Sequence, residues 1–222
     1  MAISMIAMSL FVSCKKDDDD DAATPAGTGK LMVIHASPDA PGVDLLLDNS
    51  KINSAAVNFL DNTAYLSVNE GSRNVKVNVA GTMTTALNAN ISIVKSKNYS
   101  LFAVDSVSKL SALLIEDNLA TPASGKAHVR FIHLSPNAPA VDVAVDGGPV
   151  VFGDYTFKEA AAFTPLDAGT YDLEVRVAGT STVALDLDPI TVQAGKIYTV
   201  YAKGFLGGTG TQALGAAIIQ NN

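Results

Sequence analysis

The 222-residue chain has one cysteine and no tryptophan. A single thiol cannot close an internal disulfide or build a thiolate zinc cluster. Aromatic residues are scarce, with eight Phe and six Tyr, so a platform of stacked rings for sugars would rest on Tyr65, Tyr155 or Tyr171. Positive charge is also in short supply: 15 Lys and Arg stand against 22 Asp and Glu, a net charge of −7. That balance argues against nucleic-acid binding, which needs a basic stripe to displace counterions from phosphates. Charged residues make up only 17% of the chain while 48% is hydrophobic, which is enough for a packed core and excludes disorder of the whole.

The longest uncharged apolar run is Met1–Ser13, MAISMIAMSLFVS. It is too short to cross a bilayer, which takes about 20 helical residues, and five aspartates, Asp17–Asp21, follow shortly after it. No buried helix could absorb them, so residues 1–13 read as an export signal. The segment Leu10-Phe11-Val12-Ser13-Cys14 resembles a bacterial lipobox, although Phe11 stands where Leu is commoner. The resemblance implies cleavage before Cys14 and acylation of that residue. The following Lys-Lys-Asp-Asp-Asp-Asp-Asp is similar to the surface-export signal of Bacteroidota lipoproteins. No Lys or Arg precedes Cys14, so the expectation is either a true start upstream of Met1 or a weak signal. Residues 14–28 lack apolar periodicity and are expected to form an extended acidic tether reaching up to about 50 Å. The expected location is the outer membrane, facing outward, with the membrane as partner through the lipid on Cys14.

Beyond the tether the sequence repeats itself. Ile34–Asp48 reads IHASPDAPGVDLLLD and Ile132–Asp146 reads IHLSPNAPAVDVAVD, with nine of fifteen positions identical at an offset of 98. The same offset carries Gly71 onto Gly169 and Gly81 onto Gly179. A unit this long is a whole domain, since solenoid repeats run about 20–50 residues. The expected organisation is domain one at 29–118, a linker at 119–125 and domain two at 126–222. The linker offers no large apolar surface, so each domain is expected to melt on its own and the chain to be a monomer.

Within each copy the apolar residues recur with period two, as in Arg73–Val79 and Tyr171–Val177, the pattern of half-buried strands. About seven short strands per copy predict an all-β fold of two tandem antiparallel β-sandwiches, immunoglobulin-like or transthyretin-like. Further strands are expected at Ile91–Lys95 and Tyr99–Asp105, among others. Thr156–Phe163 is the one candidate for a helical turn or two. Gly204–Gly210 is expected to be a hairpin tip, since it lacks the Lys-Ser/Thr ending of a phosphate cradle.

The strings HASPDAP-VDLLLD and HLSPNAP-VDVAVD resemble the family known as domain of unknown function 4397, whose members are often exported and often carry the unit in tandem. The resemblance implies a β-sandwich at the cell envelope and brings no catalytic residue with it. Read physically, the motif is a strand, a corner and a second strand. His35 and His133 end the core face of the first strand, Ser37 and Ser135 precede Pro38 and Pro136, and the prolines force the chain out of the sheet. Asp44 and Asp142 then enter the next strand. The alternative has His35, Asp39 and Asp44 binding a metal, or His35 activating Ser37, but two residues apart on an extended segment is a loose pairing. The structural corner is the preferred reading: no catalytic residue, metal or cofactor is assigned. The function expected is a non-catalytic envelope spacer or adhesion module, the alternative a surface receptor for polysaccharide or peptide.

Overall fold

The structure, a computed structural model, describes residues 27–222. The signal run, Cys14 and most of the expected tether lie outside the described residues. The tether's last residue, Thr28, already belongs to a strand.

The first copy contributes β1 (Thr28–His35), β2 (Val43–Leu47), β3 (Ser50–Lys51), β4 (Leu66–Asn69), β5 (Gly71–Val79), β6 (Thr85–Ile93), β7 (Asn98–Val104) and β8 (Ser111–Asp117). They form two sheets, β3-β2-β5-β6 outside and β4-β1-β7-β8 inside. Leu31, Val33, Val43, Leu45, Val75 and Leu101 fill the space between them.

In the second copy the strands are β9 (Lys126–His133), β10 (Val141–Val145), β11 (Val150–Tyr155), β12 (Thr164–Asp167), β13 (Gly169–Tyr171) and β14 (Leu173–Val177). They continue with β15 (Val183–Asp186), β16 (Ile190–Val192), β17 (Ile197–Lys203) and β18 (Gly215–Gln220). Here β12-β9-β17-β18 is the inner sheet, β11-β10-β14-β15 the outer one, and β13 and β16 make a separate ribbon. Val129, Phe131, Val143, Val175 and Val200 form this sandwich's core.

The chain is thus all-β with two sandwiches, and it departs from the sequence reading in four respects. First, the sheets are not wholly antiparallel: β1 runs parallel to β7, and β9 to β17. Parallel partners need a long connection, and the outer sheet of each copy supplies it. Second, β6 begins at Thr85 and ends at Ile93, so Val94 and Lys95 fall in the turn that follows. Third, Thr156–Phe163 is not helical. Its backbone is committed to the stretch of β9 that β12 does not reach: Lys158 N–H donates to His133 O, and Ala161 N–H to Phe131 O, both at 2.8 Å.

The fourth departure concerns the relation of the domains. Met32, Ile34, Phe102 and Val104 from the first inner sheet pack with Ile132, Leu134, Tyr201 and Ile219 from the second. The inner sheets are buried on both faces, which is why Leu31–Ile34 in β1 and Leu101–Val104 in β7 read as continuous apolar runs. Removing those eight side chains from water stabilises the pairing by at most about 12–24 kcal/mol, at about 1.5–3 kcal/mol each. Since a whole domain is typically stable by about 5–15 kcal/mol, neither half is expected to unfold while the other stands. The expectation of independent melting came from the linker's composition, whereas the coupling runs through the sheet faces.

Candidate functional site

Each copy of the motif builds the same corner. His35 ends β1 and His133 ends β9, with both rings buried. His35 Nε2 donates to Pro41 O at 3.1 Å, and His133 Nε2 to Pro139 O at 3.0 Å. A carbonyl only accepts, so the proton sits on Nε2 and Nδ1 is a bare acceptor. In the second copy Nδ1 takes the Ser135 N–H at 3.3 Å. Protonation would turn that acceptor into a donor facing another donor. Burial holds both histidines below their ordinary pKa, against smaller opposing effects of the corner carbonyls and nearby carboxylates.

The motif aspartates act at the other side of the corner. Asp44 Oδ2 accepts the Gly81 N–H at 3.0 Å and Asp142 Oδ2 the Gly179 N–H at 2.9 Å. These glycines turn the next hairpins with φ of +72° and +71°, a backbone region other residues rarely enter, so the repeated Asp and the repeated Gly are two ends of one clamp. Lys51 Nζ lies 2.8 Å from Asp44 Oδ1; this bond first, and the Gly81 N–H second, hold the Asp44 carboxyl below the usual range. Asp142 Oδ1 instead accepts the Asp154 N–H at 2.7 Å.

The residue that follows the first proline has a third task. Asp39 Oδ1 accepts the Val107 N–H at 2.7 Å, and Asn137 Oδ1 accepts the Leu206 N–H at 2.8 Å. Val107 and Leu206 are exposed, and each is pinned on the turn after β7 or β17. His35, Asp39 and Asp44 are therefore held by three separate partners, and among the described residues no group of three or more His, Cys, Asp or Glu is placed to hold a metal ion. Ser37 and Ser135 are buried with Oγ unpartnered, so neither hydroxyl is bonded to its histidine or to its own loop. Pro38 is buried and Pro136 half-buried, both as corner packing.

Replacing His133 with Ala leaves the Ser135 N–H and the Pro139 carbonyl without their partner, at an expected cost of about 1–3 kcal/mol. It should also flatten the pH dependence of stability. The unfolded chain takes up the histidine protons below about pH 6.5 and the folded chain only at lower pH, so stability is full above that value and declines as pH falls toward the folded pKa. Urea midpoints measured from about pH 8 to 5 check this; an unchanged slope in His133→Ala would contradict it.

A second polar cluster lies between the sandwiches, and the sequence reading missed it. Arg130 and Asp117, from β9 and β8, are both fully buried and meet at 2.6 Å. Asp117 Oδ2 also accepts from Tyr65 at 2.6 Å and Ser100 at 2.7 Å. Arg130 Nε donates to Thr199, Thr199 to Asn221, and Asn221 Nδ2 to Tyr65. The chain of bonds closes on itself across both domains. Arg130 also lies over the Phe163 ring, 4.5 Å from its centre. The repeat offset carried a signal of it: Arg130 falls 98 residues after Met32, a charge where the first copy has an apolar residue.

Two tandem β-sandwiches packed face to face through their inner sheets, each carrying the same corner motif, define an all-β modular protein. The chain belongs to the domain of unknown function family DUF4397, whose profile matches residues 29–144 and 135–222. No curated protein matches it. Among solved structures it is similar to a family 26 carbohydrate-binding module from Eubacterium rectale Amy13K in complex with maltoheptaose. The identity is 10%, the match covers 86% of this chain and 96% of that one, and the TM-score is 0.30. It is similar to the Bacillus anthracis TIE protein at 12% identity and TM-score 0.26, over 80% of this chain and 34% of that one. A leucine-rich repeat protein from Bacteroides thetaiotaomicron matches at 12% identity and TM-score 0.20, over 82% of this chain and 26% of that one. These likenesses are too loose to carry a ligand or partner across.

Proposed function

We propose that this chain is a non-catalytic, lipid-anchored module of the outer cell surface that holds two sandwiches as one rigid body. The observation that carries the reading is the placement of the ends. Gly27 leads into the start of β1, and the corner at His35 lies about 25 Å away at about 3.3 Å per residue. The second corner is at the same end: Lys158, whose N–H donates to His133 O, lies 3.8 Å from Asp105, just past the end of β7, which runs parallel to β1. A tether entering at Gly27 would therefore hold both corners, with Val107 and Leu206, away from the membrane.

Bacteria making the full chain and fed an alkyne analogue of palmitate should label it in the membrane fraction, and Cys14→Ser should abolish the label. An unlabelled wild-type protein in the cytosol would overturn the anchored reading. The receptor reading draws support from a different feature, an open groove along one side of the second sandwich.

A further inference from the structure

The two copies differ most along that side. In the first, β6 runs nine residues without a break, buries Ile91 in the core and packs beside β8. Arg73 pairs with Ile91 in the first copy and Tyr171 with Ile190 in the second, so Ile190 is the counterpart of Ile91, and the residue just before it is Pro189. Proline has no N–H for a ladder, and the strand is split there into β15 and β16, with Leu187–Pro189 between them. The break leaves a groove of about 470 Å³ between this segment and β18.

One wall of the groove is an unpaired strand edge. β18 is the outermost strand of its sheet. The Asn221 N–H donates to Ile197 O, so in the antiparallel alternation the bonded pairs that follow are Ile219–Thr199, Ala217–Tyr201 and Gly215–Lys203. The N–H and C=O groups of Ala216 and Ile218 therefore face away from β17, at the open edge. The small residues Gly215, Ala216 and Ala217 let another backbone come close. Leu185, Leu187 and Ile190 on the other wall are half-buried and continuous with the domain core, and the exposed Asp186 and Asp188 alternate with them. The one cation in the lining, Lys203, donates to the carbonyls of Thr211 and Ala213 at 3.1 Å.

We propose that the edge of β18 accepts an extended peptide as an added strand, one with apolar side chains at alternate positions and Lys or Arg at its flanks. The backbone groups of Ala216 and Ile218 supply main-chain bonds, the apolar wall receives every second side chain, and Asp186 and Asp188 attract the basic flanks. No aromatic ring lines the groove, which favours a peptide over a sugar. The inference takes up the receptor reading and does not depend on the anchor at Cys14.

The test is a titration of the purified chain with two fluorescent nine-residue peptides of alternating Val and Thr, one flanked by Lys and one by Glu. The Lys-flanked peptide should bind and the Glu-flanked one should not. Ala216→Pro removes an outward N–H that β17 does not use, and should weaken binding at least about tenfold, or 1.4 kcal/mol, with the melting temperature confirming the fold. Asp186→Lys with Asp188→Lys, both exposed, should reverse the preference between the peptides. Binding that ignores both sets of changes would overturn the groove while leaving a peptide receptor standing. No binding of either peptide would overturn the inference and the peptide receptor together. Self-association abolished by Ala216→Pro, without peptide binding, would assign the edge to a second copy instead.

Discussion

Arg130→Met is expected to destabilise the whole molecule by about 3–5 kcal/mol, because it leaves the Asp117 carboxylate buried without its counter-charge. Tyr65 and Ser100 still donate to that carboxylate, but two neutral hydroxyls do not replace a guanidinium at 2.6 Å. The double change Arg130→Met with Asp117→Asn should recover most of the loss, since a buried pair replaced at both ends by uncharged groups often costs little. The repeat itself suggests these choices: Met32 and Asn221 are the residues that the other copy carries at the two positions. Thermal or urea unfolding of the two single variants and the double completes a cycle for the pair. A double variant no more stable than Arg130→Met would show that the pair is not coupled as its geometry implies.

Phe102→Ala should cost a similar amount, about 3–5 kcal/mol, the range for truncating a buried aromatic residue. Phe102 is fully buried, and its ring meets Tyr201 edge-on with centroids 6.0 Å apart. The two residues occupy equivalent positions of the repeat, so the domains face each other across a local two-fold relation, as protomers do at an isologous interface. The wild-type chain is accordingly expected to melt in one transition, coincident by circular dichroism and tyrosine fluorescence. Phe102→Ala should move that single transition downward. Two resolved transitions, with only the first domain's displaced, would mean that the shared core does not couple the halves.

The corner motif was largely legible, for a local reason. His35, Pro38, Pro41 and Asp44 lie within ten residues of one another, and proline's fixed φ with a strand on either side leaves the chain little choice. That the histidine reaches its own loop follows from the same short range. The partners of Asp39 and Asp44 were not legible. Val107 is 68 residues from Asp39 and Gly81 is 37 from Asp44, distances over which only the folded sheet decides who meets whom. The misread segment Thr156–Phe163 shows the same limit. Its Ala-rich composition suits a helix, and the end of β9 beyond β12 claims its backbone instead.

The sequence by itself determined the duplication, the strand period and the corners, because each is written in residues close together or at a constant offset. Only the tertiary structure decided that the two sandwiches are one body. An apolar run in a strand signals burial of both faces without naming the second neighbour, and here that neighbour is the other copy's sheet. Arg130 illustrates the physical reason. It lies on the strand face opposite Val129 and Phe131, and its charge is tolerable in the interior only because Asp117, Thr199 and the Phe163 ring, from three other segments, surround it.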